Sequence, residues 1–326
     1  MDKRKVIIDC DPGIDDSLAI MLALNSEELD VLGITIVSGN VHGEKGAKNA
    51  LKILKKLNRL DVNVYIGEVN PIKRELITAE DTHGEDGLGE IFLEEVTEVS
   101  YKEGAVDFII ESLKKEDDIS IIALGPLTNI AMAIEREKEA MKNLKELVLM
   151  GGAFKSHGNC SQVAEFNFWV DPHGAEKVFN ELEKSITMVG LDVTRDIVLT
   201  PNYIEMIRQF NEPLGDLIVD ITRFYVDFHW MQERTLGCVI NDPLAVAYFI
   251  DRSLCTGEEY YVDIVTEGKA IGMSLVDEGN FYRKNPNCLV LRKVDSKRFM
   301  RMFLGRLFKE HIKDIDIVLN SDKYSY

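Results

Sequence analysis

The sequence predicts an α/β protein with a mostly parallel central sheet flanked by helices and a largely helical C-terminal part. Three observations carry this reading. Short apolar runs alternate with amphipathic stretches of helical period. Turn-forming residues separate the two kinds of segment. The balance of 45% hydrophobic to 29% charged residues is that of a chain with a core, which excludes wholesale disorder. The 326 residues allow one large domain or two ordinary ones. No internal repeat, low-complexity tract or Pro/Ser-rich linker divides them, so a single domain over 1–326 is expected.

In order, residues 6–10 read as the first strand, followed by the turn-forming Asp11-Pro12-Gly13 and an apolar helix over 17–24. A second strand over 31–37 closes on Ser38-Gly39-Asn40 and leads into an amphipathic helix over 44–57. Residues 62–66 form the third strand. Residues 119–124 run into Gly125-Pro126-Leu127-Thr128, after which 129–134 turns helical. A strand over 147–150 meets Gly151-Gly152, and one over 186–193 follows a helix that begins near Pro172. Two stretches break the alternation. Residues 78–89 are polar and glycine-rich, and read as a long mobile loop rather than packed structure. Residues 201–250 read as mainly helical, with Gly237 and Asn241-Asp242-Pro243 as punctuation.

Composition narrows the partners. With 38 Lys+Arg against 56 Asp+Glu the net charge is −18, which repels nucleic acid and anionic membranes. Five scattered cysteines without a C-x-x-C pair fit a reducing compartment and exclude a disulfide framework. The apolar stretch after the basic N-terminal residues ends at Asp9, too short for a signal segment, and no run is long enough to span a bilayer. A cytoplasmic protein is expected.

The strongest chemical signal is Asp9-Cys10-Asp11-Pro12-Gly13-Ile14-Asp15-Asp16, four carboxylates directly after the first strand. Burying like charges this close is costly unless a cation neutralises them. A hard divalent ion held by oxygen is the natural solution, with Gly13 permitting the tight turn. The plain alternative is an acidic helix start, in which Asp15 and Asp16 serve only the helix dipole. Placement at a strand's carboxyl end, where ligands bind in such sheets, favours the ion. Other candidates gather at the same edge. Asn40, Leu124 (through its carbonyl) and Met150 end strands. Asn159, Glu165, Phe166 and Asn167 lie in the loop after Met150, and Asp242 opens a late helix.

These residues fall in motifs that resemble one family. Asp9-x-Asp11-Pro12-Gly13-x-Asp15-Asp16 is similar to the N-terminal fingerprint of the inosine-uridine-preferring nucleoside hydrolases. The likeness continues through Ser38-Gly39-Asn40, His83-Gly84-x-x-Gly87-Leu88, Gly125-Pro126-Leu127-Thr128-Asn129, Met150-Gly151-Gly152, Ala164-Glu165-Phe166-Asn167 and Asp242-Pro243, in order and in register. The resemblance implies a Rossmann-like core, a homodimer or homotetramer, and hydrolysis of ribonucleosides to ribose and free base. It implies a Ca²⁺ held by Asp11, Asp15, Asp242 and the Leu124 carbonyl, which also holds the attacking water and the ribose 2′- and 3′-hydroxyls. By the same resemblance Asp11 is the general base, Asp16, Asn40 and Asn167 grip the ribose hydroxyls, and Asn159 and Glu165 lie near the 5′-hydroxyl. The chemistry is consistent with that allocation, since departure of the base leaves a cationic sugar that carboxylates stabilise.

One departure concerns the leaving group. Family members often carry a His immediately before the late metal-binding Asp, and this chain has Asn241, which can hydrogen-bond to a base but cannot protonate it usefully. Three groups are candidates to replace it. His83 sits in the glycine-flanked loop, and Tyr225 and His229, four apart, share one face of a predicted helix. Met150 and Phe166 are further candidates for contact with the nucleoside. Trp169 and the aromatics of 225–230 read mainly as core. Two competing readings follow. The first is a nucleoside-binding homologue without leaving-group chemistry. The second is a phosphohydrolase using Asp9 and Asp11 as a D-x-D pair, although Gly13 stands where that motif wants Thr or Val.

Overall fold

The computed structural model describes residues 3–321. Strand β1 (Arg4–Cys10) runs into helix α1 (Ile14–Leu24), then β2 (Leu29–Ile36), α2 (Gly43–Lys56), β3 (Val64–Ile66), the single turn α3 (Glu80–His83) and β4 (Lys102–Glu103). Next come α4 (Ala105–Lys115), β5 (Ser120–Ala123), α5 (Thr128–Met141), β6 (Glu146–Met150), α6 (Phe166–Val170), α7 (Pro172–Glu181), β7 (Ser185–Val189) and α8 (Leu191–Thr194). The remainder comprises β8 (Val198–Leu199), α9 (Pro201–Phe210), α10 (Pro213–Glu233), β9 (Cys238–Val239), α11 (Asp242–Ile250), β10 (Cys255–Tyr260), β11 (Val262–Ile264), β12 (Ser274–Val276), β13 (Cys288–Val294), α12 (Ser296–Leu307) and α13 (Ile312–Leu319).

The central sheet has nine strands in the order β10-β13-β7-β6-β5-β1-β2-β3-β4. All neighbours pair in parallel except β10 with β13 at one edge. Side-chain alternation divides the core between the two faces. Val6, Ile8 and Cys10 of β1 join one apolar cluster with α1 and α11, whereas Ile7 joins another with α4, α5 and α7. Strands buried on both sides read as nearly continuous apolar runs, which is why β1, β5 and β6 were legible. The order in which strands are laid down across the sheet reverses at β1, with β2 on one flank and β5 on the other. A crevice therefore opens at the carboxyl ends of β1 and β5, where open α/β sheets bind ligands.

Two segments differ from expectation. The strand expected over 186–193 ends at Val189, and Leu191–Thr194 is helical. The chain turns there because Gly190 lies against the next strand's exit: a Cβ on it would sit 2.9 Å from the Gly152 carbonyl, which accepts the Leu191 N–H at 2.9 Å. Within 78–89, α3 forms a single turn and sends His83 and Leu88 into the interior. Among the described residues no helix is long and apolar enough to cross a membrane.

Candidate active site

Between β1 and α1 the chain turns sharply through Asp11, Pro12 and Gly13, carrying three carboxylates to the mouth of the crevice. Asp16, at the third position of α1, accepts the N–H of Gly13 at 3.0 Å and of Asp11 at 3.2 Å. It therefore caps the helix, as the plain reading held for the acidic pair, but Asp15 does not share that work. Asp15 points outward and accepts the Tyr225 hydroxyl at 3.2 Å and the Asn241 amide at 3.0 Å. Asn40, ending the loop after β2, donates its N–H to Asp11 Oδ2 at 2.6 Å and its amide to Asp16 Oδ2 at 2.9 Å. The tightness of this corner accounts for two glycines. A Cβ on Gly39 would fall 2.0 Å from Asp11 Oδ2, and one on Gly13 would fall 2.7 Å from His83 Nδ1.

Asp15, Asp16 and Asp242 are all buried, and each offers an oxygen within 4.8 Å of the others. Asp11 is fully buried beside Asp16, and its Oδ1 has no hydrogen-bond partner among the described residues. Burial, reinforced by neighbouring carboxylates, moves Asp11, Asp16 and Asp242 upward. Asp11 rises well above the carboxylate range through burial and Asp16, Asp242 likewise through burial and Asp15, and Asp16 is pushed up to about 7 by burial and Asp15. Protons alone are a poor answer to so many converging oxygens. An all-oxygen donor set with an unpartnered carboxylate atom suits a hard divalent cation. The convergent trio includes Asp16, assigned from the family likeness to ribose, while Asp11 stands just behind it. The Leu124 carbonyl, expected on the ion, accepts the Asn167 amide at 2.7 Å.

Above the acids lies a cavity of about 370 Å³, within the range of small-ligand sites. Asp15, Asn40, Leu124, Asn241 and Asp242 form its floor, and Met150, Asn159, Glu165, Phe166 and Asn167 form one wall. His83 and, from α10, Tyr225 and His229 also line the cavity. Asp11 and Asp16 lie beneath, reached through Asn40. Glu165 begins α6, accepting the N–H of Asn167 at 2.9 Å and of Gly152 at 3.0 Å, and burial pushes its carboxyl up to about 7. Asn167 also bonds the Met150 carbonyl at 3.1 Å, so one amide spans the ends of β5 and β6.

The two histidines have opposite hydrogen-bonding states. His83 Nδ1 accepts the N–H of Ile14, the first residue of α1, at 3.1 Å, so its proton resides on Nε2. His229 Nδ1 lies 2.8 Å from the Tyr225 carbonyl, which can only accept, so the proton resides on Nδ1 and Nε2 carries the lone pair. Burial lowers the pKa of both rings. Tyr225 sits between them, its ring 5.3 Å from His83 and 4.4 Å from His229.

Several cavity residues escaped the sequence reading. Phe228 and Gln232 continue the Tyr225–His229 face of α10 at helical spacing, a signal that was available. Trp169, read as core, stands in the cavity wall with the Arg74 guanidinium over its ring. Arg195 and Glu233, ion-paired at 2.9 Å, also line the cavity, and no motif marked them. Asp9 does not line it. It is fully buried, with Oδ1 taking the Thr35 hydroxyl at 2.5 Å and the Asn129 amide at 2.8 Å, so no Asp9 oxygen opens on the cavity for a D-x-D nucleophile pair.

The family model described as inosine-uridine preferring nucleoside hydrolase matches residues 6–301. The pyrimidine-specific ribonucleoside hydrolase RihB of Escherichia coli K12 is 37% identical over 301 residues, covering 92% of this chain and 95% of that protein. Among solved structures, a plant nucleoside hydrolase, PpNRh1, superposes with a TM-score of 0.89 at 31% identity, covering 93% of this chain and 98% of its own. A purine-preferring ribonucleoside hydrolase from Gardnerella vaginalis does so at 0.88 and 35% identity, with the same coverage. The chain belongs to the inosine-uridine preferring nucleoside hydrolase family and is a ribonucleoside hydrolase.

Proposed function

We propose that the chain hydrolyses the N-glycosidic bond of purine or pyrimidine ribonucleosides in a Ca²⁺-dependent reaction, with sugar and base handled at opposite ends of the cavity. The observation that carries this reading is the sunken carboxylate cluster, with its unpartnered Asp11 oxygen, beneath a wall of amide and acid groups. Asp15, Asp16 and Asp242, with Asp11 and the Leu124 carbonyl at hand, would hold the ion. When bound, Ca²⁺ supplies the countercharge that keeps these acids ionised and the Lewis acidity that makes water a better nucleophile.

Asp11 accepts the proton of the attacking water through Oδ1. Asp16 and the amides of Asn40 and Asn167 bind the ribose hydroxyls, while Asn159 and Glu165 face the 5′ end. As the base departs, positive charge grows on the sugar ring, and the carboxylates beneath stabilise that state more than the ground state. A sugar lacking one hydroxyl leaves these buried groups unpaired, so deoxyribonucleosides are disfavoured.

At the base end, the roles follow from the proton positions. His83 donates from Nε2–H as a neutral ring, because protonating Nδ1 would break its bond to Ile14 and set a cation against the positive end of α1. His229 is the proton donor: once protonated it presents Nε2–H, and burial makes that proton readily given up. Asn241 is committed to Asp15.

The test is incubation of Ca²⁺-loaded protein with inosine, uridine and an activated aryl riboside, following ribose release with and without chelator. Cleavage of a natural nucleoside that stops on chelation supports the proposal; binding without cleavage of any of the three overturns it. A second reading, a nucleoside-binding homologue lacking base activation, draws on Asn241 alone. Hydrolysis of the aryl riboside but neither nucleoside would favour it.

A further inference from the structure

The segment between β6 and α6 carries Asn159 and Glu165 to the cavity, yet residues 151–163 contain no helix or strand. A loop of that length is ordinarily mobile. Here two charged side chains of α8 and its C-cap hold it. The Asp192 carboxylate accepts the N–H groups of Phe154, Lys155 and Ser156 at 2.7, 2.7 and 3.0 Å. The Arg195 guanidinium donates to the Ser156 hydroxyl at 2.6 Å and to the carbonyls of His157 and Gly158 at 2.9 and 3.2 Å. Its remaining contact is Glu233 at 2.9 Å, near the end of the helix that carries Tyr225 and His229.

Arg195 lines the cavity, so direct contact with substrate is the obvious alternative. Its donors argue against that. A guanidinium has five N–H groups, four of them on the two Nη atoms. Four acceptors lie on those atoms, which leaves only Nε–H. The last carbonyl it holds belongs to Gly158, the residue immediately before Asn159.

We propose that Arg195, with Asp192, is a positioning pair that presets Asn159 for the 5′ end of the nucleoside and ties that loop to the base-facing helix. The inference rests on the hydrolase reading above. Preordering of this kind lowers the entropy lost on binding and acts equally on ground and transition states, so its removal changes KM more than kcat.

The experiment compares wild type with Arg195→Ala, Asp192→Asn, Asn159→Ala and the Arg195→Ala/Asn159→Ala pair, using uridine, inosine and their 5′-deoxy analogues with Ca²⁺ present. Arg195→Ala is expected to raise KM for the nucleosides about tenfold, with kcat kept within about threefold. The KM penalty shrinks to within about twofold for 5′-deoxy substrates and in the Asn159→Ala background, and Arg195→Lys recovers part of it. Should Arg195→Ala fail to fold, Glu233→Gln and Asp192→Asn show the same 5′-dependent pattern at smaller size. A KM unchanged by these substitutions, or an equal penalty with 5′-deoxy substrates, overturns the proposal. If wild type binds inosine without turnover, the hydrolase reading fails and the same series, read as Kd by calorimetry, still decides the positioning role. Absence of both binding and turnover overturns both.

Discussion

Loading the acidic cluster with Ca²⁺ is expected to expel protons and to raise thermal stability, with both effects tied to pH. In the metal-free protein Asp16 titrates at about 7 against a reference of 3.8, because burial and Asp15 disfavour its charge. The folded chain therefore holds a proton that the unfolded chain has released. That contribution to stability is complete below pH 3.8 and is lost as pH rises through 7. Three pH units correspond to about 4 kcal/mol, and Glu165, also near 7, acts in the same direction. Ca²⁺ favours the ionised acids instead, so binding at pH 6 releases the Asp16 proton together with those of Asp11 and Asp242. At pH 8 Asp16 is already ionised, and the number released falls by about one. At 100 times Kd the ion stabilises the fold by about 2.7 kcal/mol. With an unfolding entropy near 2.1 cal/mol/K per residue, a chain of 326 residues gains about 4 °C in Tm. Calorimetric titration in two buffers of different ionisation enthalpy counts the protons, and scanning calorimetry of chelator-stripped and loaded protein gives the shift. No proton release at pH 6, or a Tm indifferent to Ca²⁺, would refute the reasoning.

Three further outcomes are expected. His83→Ala removes both the neutral donor and an acceptor for the Ile14 N–H, so kcat/KM for natural nucleosides falls about 100-fold and less for an aryl riboside that needs no help in leaving. With saturating Ca²⁺, kcat on nucleosides declines as pH rises past the depressed pKa of His229, because the protonated donor is lost; steady-state rates of His229→Ala are low and lack that limb. Gly39→Ala drives a methyl group to 2.0 Å from Asp11 Oδ2, costing about 1–3 kcal/mol by chemical denaturation and weakening Ca²⁺ binding by at least tenfold in calorimetric titration.

Much of this was legible in the chain itself, for identifiable reasons. Strands β1, β5 and β6 are buried on both faces and announce themselves as apolar runs. The acids at the end of β1 and directly after it are conspicuous because no packing argument wants four of them there. Of the cavity residues, Asn40, Leu124 and Met150 follow from their position at or just after strand ends, and Asn159, Glu165 and Asn167 from the segment that leaves β6. Other features lay beyond local pattern. That β7 stops at Val189 depends on Gly190 pressing against Gly152, a contact between two separate strand exits. That His83 Nδ1 accepts is set by the start of α1, 69 residues away in the chain. Arg195 is one of 38 basic residues, and nothing in its immediate neighbours distinguishes it. Its partners Ser156, Gly158 and Glu233 are near only after folding.

The floor of the cavity joins the first helix to a late one. Asn241 reaches Asp15 across 226 residues of chain, and Asp242 follows it into the same cluster. The first two hundred residues thus supply Asp11, Asp15, Asp16 and the Leu124 carbonyl but lack Asp242. The cluster is complete only when α11 rests on α1. A prematurely stopped fragment would retain the N-terminal fingerprint while lacking a functional pocket, so the motif alone is no guide to whether a truncated relative is alive.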